Sequence, residues 1–135
     1  MDTTTPPPII QPPPSTEQQV RVGPILRDIL IIFVLTFIGG FVIGLASEPT
    51  SPRWILAIPA SNLLLGTVGF VISGCLAVGN RWRHLAYVGL GVWLTGLINV
   101  LLFGFSIVLW FFSITFVALI MVLGGAISYV FKRDT

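Results

Sequence analysis

Apolar residues fill four long runs in this chain, and short polar breaks separate them. The runs cover residues 28–46, 54–79, 85–103 and 105–131. Each is close to or beyond the ~20 residues that an α-helix needs to cross the hydrocarbon of a bilayer. The breaks carry turn chemistry. Residues 47–53 hold two prolines, residues 80–84 hold two arginines and a histidine, and Gly104 alone divides the last two runs. A chain in lipid must satisfy its backbone hydrogen bonds internally, so the pattern predicts helices. The predicted fold is all-α, an integral membrane four-helix bundle with short loops and antiparallel sequence neighbours.

Small and polar residues within the runs follow the helical period. At about 100° per residue, Pro59, Asn62, Gly66, Gly69, Ser73 and Ala77 share one side of the second run. Ile55, Leu64, Val68, Val71 and Cys75 take the other side. The first run places Thr36, Gly40 and Gly44 together, with Gly40-x-x-x-Gly44 as a close-packing motif. In the third, Leu85, Val88, Val92, Thr95, Gly96 and Asn99 align; in the fourth, Ser106, Trp110, Ser113, Val117, Gly124 and Ser128 do so. Lipid supplies no hydrophobic drive between helices, so seams of this kind are expected to let backbones pack closely. A polar path through the bundle is the alternative reading of Gly40, Gly44, Asn62, Gly66, Gly69, Ser73, Asn99, Gly124 and Ser128. Counting ~1.5 Å per residue, Asn62 and Asn99 both fall in the outer half, where they could pair or line a cavity.

Composition changes the picture little. With 9% charged residues and 55% hydrophobic ones, the 135-residue chain departs from a soluble globule, where the charged share is ~25%. Residues 1–27 form a polar tail holding six prolines before Gly23, expected to be disordered and cytoplasmic. The tail lacks the PxxP spacing of SH3-type ligands, and the apolar run after it is too long for a cleavable signal. Residues 132–135 form a short basic C-terminus.

The basic residues matter for topology. Arg21, Arg27, Arg81, Arg83, Lys132 and Arg133 belong to one side of a four-span chain, and Arg53 alone to the other. The positive-inside rule then places both termini in the cytoplasm, with the plasma membrane as the expected location. Arg81, Arg83, Lys132 and Arg133 are the candidate contacts to lipid head groups.

Candidate chemistry is sparse. Asp28, Glu48 and Asp134 fall at or beyond the predicted span edges, so no ionisable group is expected inside the membrane. One histidine and one cysteine, His84 and Cys75, give no metal set and no activated nucleophile. His84 reads as a solvated interfacial residue. No catalytic residue, cofactor or metal is expected, and nucleic acid is not an expected partner. The expected partners are the bilayer and other membrane proteins or further copies of the chain. These observations favour a non-catalytic accessory or scaffold subunit of a membrane assembly. The alternative is a small oligomeric channel or facilitator for a neutral or small solute.

Overall fold

The computed structural model of the protein describes residues 22–46, 52–104 and 106–131, which form four helices and no strand. These are α1 (Val22–Ala46), α2 (Pro52–Leu76), α3 (Arg81–Phe103) and α4 (Ile107–Phe131). Three have 25 residues and α3 has 23, so each is long and apolar enough to cross a membrane. The proline-rich segment up to residue 21, residues 47–51, Phe105 and residues 132–135 lie outside the described residues. So do the side chains of residues 52–55, Asn99 and Phe103.

Three helices begin earlier than the apolar runs, α2 by two residues at Pro52 and α1 and α3 by more. α1 starts at Val22, six residues before Asp28. Pro24 sits in its first turn, where a missing amide hydrogen has no partner to lose. The third helix starts at Arg81, so the expected basic loop at 81–84 is its first turn. Asn80 caps it by accepting a hydrogen bond from the Arg83 amide at 3.2 Å. Gly79, with φ of 86°, turns the chain into that cap. At the other end Gly104 adopts φ of 67°, a left-handed conformation that a glycine takes without strain.

Around the bundle the helices run α1, α2, α4, α3, with α2 and α3 touching across the short diagonal and α1 and α4 not neighbours. The pairings fix the directions. Ile32 lies against Gly69, and Gly39 against Ser61 and Leu65, so α1 and α2 are antiparallel. Gly66 faces Ile120, Gly124 faces Phe70 and Gly74 faces Ser128, so α2 and α4 are parallel. Gly89 faces Met121 and Gly96 faces Trp110, so α3 and α4 are antiparallel.

The buried core draws on every helix: Ile32, Phe70, Leu85, Val88 and Ile120. Most large apolar side chains instead point outward, among them Phe37, Leu64, Leu101 and Val130. A water-soluble bundle would hide such a surface; this one is apolar around its circumference.

The α2–α4 approach brings backbone to backbone. A Cβ on Gly124 would lie 2.5 Å from the Phe70 Cβ and 2.9 Å from the Thr67 carbonyl oxygen. Backbone stands against backbone there, and no side chain can move aside. The antiparallel α3–α4 pair is joined differently. Trp93 Nε1 donates to the Trp110 carbonyl and Trp110 Nε1 to the Trp93 carbonyl, both at 3.0 Å. The two indoles stack with centroids 4.2 Å apart.

Candidate functional site

Antiparallel packing of α1 on α2 continues past Ile32 and Gly69 by one turn, and brings Asp28 against Ser73. α3 runs alongside α1, which places His84, four residues into its helix, at the same level. Asp28 is 1% exposed. Its Oδ2 accepts a hydrogen bond from Ser73 Oγ at 2.7 Å and lies 2.8 Å from His84 Nε2. Its Oδ1 accepts from Arg27 Nε at 2.8 Å and lies 2.7 Å from the Arg27 Nη2. An ionised carboxylate can only accept, so the His84 nitrogen facing it carries the hydrogen.

Asp28, expected at the edge of the first run, is instead buried among the helices. Asp28 is buried in the second turn of α1, because the helix starts upstream of it and the adjacent Arg27 offsets its charge. His84 is corrected too. Its side chain is 12% exposed and held by Asp28 rather than solvated.

A second polar group stands beside this one on the same end of the bundle. Arg81 is 7% exposed, with its guanidinium 4.1 Å from the centre of the Tyr129 ring and Nη1 3.5 Å from Ser128 Oγ. Ser128 Oγ itself donates to the Gly125 carbonyl at 2.7 Å. All four helices thus contribute to one polar layer: Asp28, Ser73, Arg81 with His84, and Ser128 with Tyr129.

This arrangement limits the chemistry. Ser73 gives its proton to the carboxylate and not to His84, so the three do not form a serine–histidine relay of the kind that generates a nucleophile. Both Asp28 oxygens accept from described donors, so the carboxylate is already engaged on each side. What remains is a buried charge with its partners in place, able to tie three helices together.

The other sequence candidates divide by location. Gly66, Gly69, Ser73, Gly124 and Ser128 lie buried between helices. A Cβ on Gly69 would come within 2.7 Å of Ile32 Cγ1, and one on Gly66 within 3.0 Å of Ile120 Cδ1. Gly40 and Gly44 have open space where a Cβ would stand. The close approach on α1 is made by Gly39, one residue from the expected motif, because Ile32 and Asp28 set which side of α1 meets α2. Asn62 is half-buried, and no hydrogen bond joins its amide to another described residue. The Asn99 side chain, its proposed companion, lies outside the described residues. Of the basic candidates, Arg81 is turned inward, Arg83 is exposed, and Lys132 and Arg133 lie outside the described residues.

Sequence reasoning missed Asp28 and His84 as partners. One signal was present: Asp28 lies four and eight residues before Ile32 and Thr36, on the same helical side. No family, characterised protein or solved structure matches the chain.

Proposed function

We propose that the chain is a four-span integral membrane protein with both termini in the cytoplasm, acting as a non-catalytic accessory or scaffold subunit. The observation that carries this reading is the close packing of α2 against α1 and α4. Glycines on α2 and α4 are used up in helix contact rather than lining a void, and the buried carboxylate has its donors in place. The apolar circumference supports membrane residence, and the six-to-one distribution of basic residues supports the orientation. Plasma membrane is the proposed location, with other membrane proteins or further copies as partners.

A second reading, a small oligomeric channel or facilitator, draws on Asp28 itself, since an ionisable group among membrane helices is a functional site by default. Thiol accessibility separates the two. In a Cys75→Ser background, single cysteines at Asn62, Gly66 and Ser73 are treated in sealed vesicles with a membrane-impermeant thiol reagent. The subunit reading expects Gly66→Cys and Ser73→Cys to stay unmodified from either side. Modification of both in folded protein would replace it with the solute path.

A further inference from the structure

His84 is the sole histidine of the chain, and it meets the buried carboxylate of Asp28. One turn deeper in each helix the polarity ends. Ile32 follows Asp28 on α1, Val88 follows His84 on α3, and Phe70 stands three residues from Ser73 on α2. All three are buried members of the apolar core. The cluster therefore has an apolar floor among the described residues. It faces the end of the bundle where α3 begins, and His84, in the first turn of that helix, keeps part of its ring exposed there.

Histidine is the side chain whose charge ordinarily changes between about pH 5 and 8. The groups around this one come from every helix. From α1, the Asp28 carboxylate lies 2.8 Å from Nε2, and Arg27 holds its other oxygen. From α2, Ser73 donates to the same Oδ2 and brings no charge. From α4, the Tyr129 ring takes the Arg81 guanidinium, and Arg83, beside His84 in sequence, is exposed. A proton gained by His84 thus arrives against a carboxylate and adds an ion pair to a hydrogen bond already made.

We propose that Asp28, Ser73 and His84 form a proton-operated latch. Uptake of a proton by His84 tightens α3 against α1 and α2, and its release loosens them. The apolar floor makes the latch a sensor of pH on one side, with no step across the membrane. That sidedness rests on the reading of the helices as membrane-spanning.

The test is the unfolding equilibrium of the full chain in detergent between about pH 5.5 and 8, the range in which imidazole titrates. The folded state holds the added proton beside a carboxylate and the unfolded chain holds it in water, so stability should be higher on the acid side. The unfolding constant should rise by about fivefold or more towards pH 8, fivefold being the upper end for an exposed ion pair. His84→Gln keeps an N–H donor that does not titrate, and Asp28→Asn keeps an acceptor without charge. Each should flatten the dependence, and a dependence that survives in either overturns the proposal. The single imidazole also gives its own nitrogen NMR signal, so the unaltered protein answers even where a variant fails to fold. A signal that stays constant across this range in the folded protein overturns the latch. In sealed vesicles with an entrapped pH dye, unaltered protein should leak protons no faster than His84→Gln. A faster leak would give the cluster to a transmembrane path instead. Carbonate extraction reports membrane insertion separately, so failure of the spanning reading removes the sidedness and leaves the titration to decide the latch.

Discussion

Asp28 is the residue whose loss should be felt most. Removing one partner of a buried charged cluster costs about 3–5 kcal/mol, because the remaining groups keep their desolvation and lose their compensation. Its partners are unequal. Ser73 and His84 reach it from other helices, whereas Arg27 is its chain neighbour and half exposed, so water and salt weaken that pair. Asp28→Leu should therefore destabilise the bundle most. Ser73→Ala should cost about 1.5–3 kcal/mol, the range for a hydrogen bond to a charged group. Arg27→Gln should cost under about 1 kcal/mol. Changing Asp28 to Leu, Ser73 to Ala and His84 to Leu together should recover part of the loss from Asp28→Leu alone, since no polar group is then stranded. Unfolding in a mixed-micelle denaturant series gives the ranking. An Arg27→Gln effect as large as that of Ser73→Ala would show that the cluster does not join helices.

At the scale of elements, glycines that look alike in sequence part company. Gly124→Ala puts a methyl group against the Thr67 carbonyl and the Phe70 Cβ, and should cost at least the ~1–3 kcal/mol typical of overpacking. Gly40→Ala and Gly44→Ala should be neutral or slightly stabilising, since each adds helix propensity in open space. Thermal aggregation of the three variants in detergent checks this, and similar losses at all three would refute the assigned faces. The contrast marks what the sequence could reveal. Helix number, approximate extent and the inward side of α2 were legible, because long uncharged runs and their small residues are strong periodic signals. The inward side of α1 was not. Its outward face carries Gly40 and Gly44 beside Phe33, Phe37 and Phe41, and small residues alone do not say which way they face. Nor was the first turn of α3 legible, since arginines and histidine read as loop until Asp28, Ser128 and Tyr129 are known to receive them.

Across the whole molecule, the polar layer and the basic residues coincide at one end. Arg27 and His84 meet Asp28, Arg81 stacks on Tyr129, and Arg83 belongs to the same first turn of α3. The proposed orientation turns this end to the cytoplasm. Single cysteines at Thr50 and Arg83, in a Cys75→Ser background, should react from outside and from inside respectively with an impermeant maleimide in intact cells and inverted vesicles. Labelling of Arg83→Cys in intact cells, with Thr50→Cys protected, would reverse the topology.

The ring order α1, α2, α4, α3 also bears on how the chain is made. Synthesis delivers the N-terminal helices first. α1 and α2 can pair at once through Ile32 and Gly69, and Asp28 can find Ser73. The other close-packing side of α2, at Gly66, Phe70 and Gly74, has to wait for α4, the last helix to emerge. Until then a glycine-lined strip of α2 faces lipid or whatever protein is at hand. A ribosome-bound chain halted after α3 is thus a sticky intermediate, and release of the final 25-residue helix is the event that closes it.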